Sequence, residues 1–187
     1  MSLEVFFCST PLSPERTEIA AKMLAWWETQ PVKIRMLTPK ILGCDPYSFQ
    51  KLRRAAADVM AKNEYYILTD DDISLVSGSV EEGIEALRSN PQFAILSAWP
   101  ANANICRWTP ENYEVYESLD IMEHYSVGGM RFCRRSSMIK GWPEQDSVGY
   151  DSAHCERLRE CGYRVGYLQH VRAHHWGELR SETWGKR

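Results

Sequence analysis

Within the first hundred residues, apolar runs of strand length alternate with stretches of helical periodicity, and this alternation restricts the chain to an α/β architecture. Leu3 to Cys8 reads as a strand ending in a Ser-Thr-Pro turn. From Pro14 to Trp27, the residues Ile19, Ala20, Met23, Leu24 and Trp27 recur at the three-and-four spacing of a helix, with Ser13 placed to cap it. Val32 to Leu37 is a second strand stopped at Pro39, and Tyr47 to Lys62 a second helix. The apolar run Tyr65 to Thr69 then enters Asp70-Asp71-Asp72, where a third βα unit is expected to begin, with a helix over Val80 to Leu87 and a strand over Phe93 to Trp99. Because strand–helix–strand connections cross over with one hand, such a series predicts a mostly parallel central sheet flanked by helices on both faces.

The pattern changes after Pro100. From there to Tyr125 the chain is rich in Asn, Glu, Tyr and Trp, as a loop or small β excursion over a site would be. Ser126 to Arg134 reads as a strand opened by Gly128-Gly129, Gly149 to Glu160 as a helix, and Tyr163 to Leu168 as a last strand before a polar tail. No internal repeat or low-complexity segment interrupts the 187 residues, which suit one domain with one core.

Charge excludes one class of partner. With 22 basic and 25 acidic residues the net charge is −3, so the molecule lacks the positive field of a dedicated nucleic-acid binder. The charges are nonetheless segregated: Glu64 to Glu123 holds twelve acids against two arginines, and Arg157 to Arg187 seven Lys or Arg against three Glu. No apolar run approaches the roughly 20 residues that span a bilayer, and the N-terminus lacks the order of a signal peptide, so a cytoplasmic location is expected. The six cysteines form no CxxC pair and are expected to be reduced thiols; Cys155, Cys161 and the late histidines fit no zinc-finger spacing.

The acidic triplet is the feature richest in chemistry. Ligands of open α/β sheets collect at the carboxyl ends of strands, where Asp70, Asp71 and Asp72 follow the third strand. Crowded carboxylates repel one another, which is tolerable at a solvated turn or around a divalent cation. Both readings are open from spacing alone. A phosphorylated ligand would bind in this acidic region only with a cation to neutralise it.

Glu64 to Asp72 resembles the strand and DxD motif of the GT-A glycosyltransferases, especially those of family 2. Further blocks agree in order and spacing. Gly128-Gly129-Met130, Arg134-Arg135-Ser136, Gly141-Trp142-Pro143-Glu144 and Gly149-Tyr150-Asp151 are similar to that family's glycine-rich strand, arginine pair, Gly-Phe-Asp-Glu turn and Gly-Glu-Asp acceptor motif. Arg157-Leu158-Arg159 and Cys161-Gly162-Tyr163 continue the likeness, His174-His175 stands where the family often has a metal-binding histidine, and Arg54 precedes Asp70 by sixteen residues as the family's helix arginine does. Departures are Tyr150 in place of a glutamate, Ala153 in place of a frequent aspartate, and Leu37-Thr38-Pro39 where the second strand usually ends in an acid.

The resemblance implies a single Rossmann-like GT-A domain over residues 1–187. Residues 1–100 would bind the nucleotide-sugar, and residues 101–187 would supply acceptor and catalytic groups. It implies a donor such as a UDP- or GDP-sugar, a glycan or other hydroxyl acceptor, Mn²⁺ or Mg²⁺ as cofactor, and transfer with inversion. Asp72 would be the main metal ligand, Asp70 would reach the metal or the ribose, and His174, with His175 as substitute, would complete the coordination. Asp71, Gly128, Gly129 and Arg54 would contact the donor, though the glycines could simply form a bend and Arg54 could lie on a solvated helix face. Asp151 would be the base on the acceptor hydroxyl, or only the cap of its helix. Trp99, Trp108 and Trp176 are candidates for stacking on a sugar or for the core. Two other readings are a binding module without turnover, and a phosphatase whose nucleophile motif would be Asp70 to Ser74.

Overall fold

The computed structural model describes residues 3–10, 13–102, 120–125, 127–139 and 150–176. Its strands are β1 (Leu3–Cys8), β2 (Val32–Leu37), β3 (Tyr65–Asp70), β4 (Ile73–Ser77), β5 (Phe93–Pro100), β6 (Ile121–Glu123), β7 (Arg131–Arg134) and β8 (Arg164–His175). The helices are α1 (Pro14–Glu28), α2 (Pro39–Leu42), α3 (Pro46–Met60), α4 (Val80–Ser89), α5 (Arg135–Met138) and α6 (Tyr150–Glu160). One sheet contains all of these strands, in the order β2-β1-β3-β7-β5-β8-β4 with β6 pairing to β8. The parallel pairs β1–β2, β1–β3 and β5–β8 form its body, and β7 enters antiparallel between β3 and β5.

The strands bury both faces, and alternate side chains serve two separate cores. Val5, Phe7 and Ile67 join Met23 and Trp27 of α1 and Val80, Ile84 and Leu87 of α4 in one core. Phe6, Cys8, Tyr66 and Leu68 join Phe49 and Ala57 of α3 and Cys155 and Leu158 of α6 in the other. That is why the strands read as nearly continuous apolar runs. Local signals set the helix starts: Ser13 accepts from the Arg16 amide, and Ser79 and Glu82 form a reciprocal capping box at α4. Gly83 lets α4 close on β7, since a Cβ there would lie 2.2 Å from Phe132 Cζ.

The strand expected to open at Gly128-Gly129 begins at Arg131 as β7, the short helices α2 and α5 were not expected, and two further differences from the sequence reading shape the site. The acidic turn leads first into β4, which pairs antiparallel with β8 at the sheet edge, and only then into α4. The last strand continues past Leu168 to His175. Gln169, His170 and Arg172 break its apolar pattern, but β4 supplies a ladder partner for the second half. Between the pairs Ala98–Leu168 and Trp99–Arg172 the β5–β8 register shifts, and the second half of β8 reaches the acidic turn. Among the described residues, Cys8, Cys44, Cys133, Cys155 and Cys161 are not joined in disulfides. No helix among the described residues is long and apolar enough to cross a membrane.

Candidate active site

The carboxyl ends of β1 and β3 lie side by side, with Cys8 registered on Asp70, and this pairing brings the Ser-Thr turn after β1 onto the acidic turn after β3. Ser9 Oγ donates to Asp71 Oδ2 at 2.9 Å, and the Thr10 amide donates to the same oxygen at 3.2 Å. From the first turn of α1, Arg16 donates through Nη2 to Asp71 Oδ1 at 3.0 Å and through Nη1 to Asp72 Oδ2 at 2.6 Å. Asp71 and Asp72 are buried, and Asp70 is half-buried at the strand end.

The far edge of the sheet closes the other side. His175 pairs with Ile73 in the β4–β8 ladder, and its Nδ1 approaches Asp72 Oδ2 at 3.2 Å as an ion pair without the angle of a directed hydrogen bond. The Trp176 amide donates to the Asp72 carbonyl at 2.7 Å, and Trp176 Nε1 donates to Ser74 Oγ at 2.8 Å. Asn102 behaves as a short strand substitute, donating from Nδ2 to the His175 carbonyl at 2.8 Å and accepting at Oδ1 from the His175 amide at 3.1 Å. His174 takes a different surrounding: its Nε2 is 3.4 Å from Asn102 Nδ2, and its ring lies 4.5 Å from that of the half-exposed Trp176.

The two buried carboxylates titrate in opposite directions. Burial raises the Asp71 carboxyl above its ordinary range and outweighs the contributions of Ser9 and Arg16. Burial also pushes Asp72 upward, but His175 and Arg16 together hold it below the ordinary range. Burial disfavours the charged form of His175, yet the adjacent Asp72 carboxylate wins and its pKa is raised.

Chemically, the turn suits a hard cation. Asp72 Oδ1 is a buried carboxylate oxygen with no hydrogen-bond partner, while Oδ2 of the same group is shared between Arg16 and His175. A carboxylate with one orphaned oxygen and an imidazole nitrogen against the other offers a ligand pair that Mn²⁺ accepts readily and Mg²⁺ less so. Among the described residues, however, no three His, Cys, Asp or Glu side chains are gathered closely enough to enclose an ion, and the cation against the turn is the Arg16 guanidinium.

Gly129 has φ +71°, and a Cβ there would lie 3.4 Å from Ile73 Cδ1, so the glycine segment runs beside the residue that follows the acidic turn. Gly128 donates its amide to the Tyr167 hydroxyl at 3.3 Å, a contact with β8. Arg54 lies on α3, the helix preceding β3, and Asp151 in the first turn of α6, which begins at Tyr150; the side chains of both lie outside the described residues. Trp99 packs against Tyr167 with ring centroids 6.0 Å apart, and Trp108, Gly141 to Glu144 and Gly149 also lie outside the described residues. Sequence reasoning missed Ser9, Arg16 and Asn102. Arg16 left one signal, since a cation in the first turn of a helix opposes the helix dipole and implies an acidic partner elsewhere.

No protein-family model and no curated protein matches the sequence. Solved structures do match it. A197 from STIV superposes with a TM-score of 0.60 at 12% identity over 95% of this chain and 87% of that one. A glycosyltransferase involved in the glycosylation of the major capsid of PBCV-1 gives 0.57 at 10% identity over 97% of each. The mannosyltransferase PcManGT from Pyrobaculum calidifontis, in complex with GDP-Man and Mn²⁺, gives 0.62 at 11% identity over 97% of this chain and 59% of that one. The chain therefore has an α/β fold of the GT-A-like glycosyltransferase kind.

Proposed function

We propose that the chain is a metal-dependent glycosyltransferase that moves a sugar from a nucleoside-diphosphate sugar to an acceptor hydroxyl with inversion. The observation that carries this reading is the acidic turn at the carboxyl end of β3, with its orphaned Asp72 oxygen and His175 beside it, in a fold shared with two glycosyltransferases. PcManGT was solved with GDP-Man and Mn²⁺, which supports a nucleotide-sugar donor and a divalent cation here.

Each residue then has a task. Asp72 and one of the two late histidines would ligate the cation directly, His175 being the one whose ring reaches Asp72, and Asp70 would reach it through water or touch the ribose. A bound Mn²⁺ or Mg²⁺ would supply the positive charge that stabilises the departing diphosphate. Ser9 and the Thr10 amide orient Asp71, keeping the turn in one conformation. Gly128 and Gly129 give the donor close access to backbone beside Ile73, and Arg54 pairs with a phosphate. Asp151 takes the proton from the acceptor hydroxyl as it attacks the anomeric carbon from the face opposite the leaving group.

Thermal unfolding of the protein with UDP-, GDP- and other nucleotide-sugars, each with and without Mn²⁺, tests the reading. A donor that raises the melting temperature only with Mn²⁺ is the expected result, because a ligand that binds only the folded state stabilises it. Stabilisation without any dependence on metal would remove the cation from the proposal. Binding without hydrolysis or transfer, across acceptors, would favour a module without turnover.

A further inference from the structure

Arg16 occupies the position against Asp71 and Asp72 that a ligand cation would need. Its two terminal nitrogens are split between the carboxylates, 3.0 Å from Asp71 Oδ1 and 2.6 Å from Asp72 Oδ2. We propose that Arg16 is an internal counter-cation that holds the acidic turn together without metal and must leave it for a divalent cation to bind. The inference rests on the reading of this turn as the metal site.

Three features of the geometry support an exchangeable role. The carboxylates are fixed, with side chains 5% and 3% exposed, whereas the Arg16 side chain is 38% exposed and reaches them from the solvent side on a flexible stem. The match is also incomplete. An arginine fork can satisfy both oxygens of one carboxylate, but here it is divided between two and leaves buried Asp72 Oδ1 without a partner. Finally, the first turn of α1 is electrostatically unfavourable for a cation, so helix stability does not account for this placement.

Two adjacent buried carboxylates repel each other and need a positive charge in the metal-free state. A guanidinium and a divalent ion within about 4 Å repel each other through the same weakly screened medium that makes each attractive to the carboxylates, so they exclude one another. Arg16 thereby lowers metal affinity while stabilising the protein without metal. It acts as a built-in competitor, and metal binding would free its guanidinium.

Chelator-stripped wild type, Arg16→Gln and Arg16→Lys, titrated with Mn²⁺ alone and followed by the free-ion electron paramagnetic resonance signal, decide the matter. In Arg16→Gln the affinity should rise at least tenfold while the metal-free melting temperature falls. Arg16→Lys should lie between, because an ammonium is a point charge that cannot fork across two carboxylates. Equal or weaker Mn²⁺ binding in Arg16→Gln would overturn the competitor role and leave the metal site standing, and so would an Arg16→Lys affinity outside the range of the other two. No Mn²⁺ binding by any of the three would overturn the metal site and the competitor role together.

Discussion

His175 Nδ1 stands 3.2 Å from Asp72 Oδ2, joining residues more than a hundred positions apart through the β4–β8 ladder. The sheet edge thus delivers a histidine to the acidic turn, and the neighbouring His174 points its ring toward Asn102 and Trp176 instead. This pairing ranks the two histidines as candidate ligands.

Asp72→Asn is expected to keep the fold and to weaken Mn²⁺-dependent donor binding by more than tenfold, about 1.4 kcal/mol. His175→Ala should weaken Mn²⁺ binding less than this, since a charged oxygen contributes more to a hard cation than imidazole does, and His174→Ala less again. Calorimetric titration of the three variants gives the order directly. A larger loss in His174→Ala than in His175→Ala would reverse the assignment.

Stability without metal should depend on pH through the same pair. His175 has a raised pKa, so its contribution is complete below its ordinary value of 6.5 and is lost as pH rises through the folded value. Asp72 has a lowered pKa, so its contribution is present above its ordinary 3.8 and is lost only as pH falls through the depressed value. Between those ordinary values both contributions act. Denaturant midpoints of chelated protein should fall as pH rises above 6.5, and His175→Gln should lose that fall. Asp71, whose pKa is raised, changes stability from the carboxylate range upward, and the difference between wild type and His175→Gln cancels it.

Asp151→Asn should leave donor affinity and melting temperature nearly unchanged and lower transfer by about 10² to 10⁴-fold, the range of general-base catalysis. Because α6 begins at Tyr150, Asp151 lies inside the first turn, where loss of its charge costs only about 0.3–1 kcal/mol. Transfer rate measured beside donor affinity separates the two roles. Normal transfer would remove Asp151 from the chemistry.

Gly83→Ala tests the packing that supports the sheet. Its Cβ would lie 2.2 to 2.4 Å from ring carbons of Phe132, which is fully buried on β7, so α4 or the ring must shift. Overpacking of this kind costs about 1–3 kcal/mol, enough to lower a thermal midpoint by several degrees. An unchanged midpoint would show that α4 rides on the sheet more loosely than the structure describes.

The α/β class, the strands β1, β2, β3 and β5 and the presence of an acidic turn at a strand end were all legible in the sequence. Each rests on local signals: apolar runs long enough for a doubly buried strand, periodic helices with Ser caps, and a turn of three aspartates. Of the partners of those aspartates, Arg16 and Ser9 were not legible, and His175 was named only through the family resemblance. Arg16, Ser9 and His175 reach Asp71 and Asp72 only because β1 pairs beside β3 and β8 runs on to meet β4. Local sequence carries the propensity of each element, but strand order and register are settled by which faces can be buried together. The charge that neutralises a buried carboxylate is therefore chosen by the tertiary structure, from residues far away along the chain.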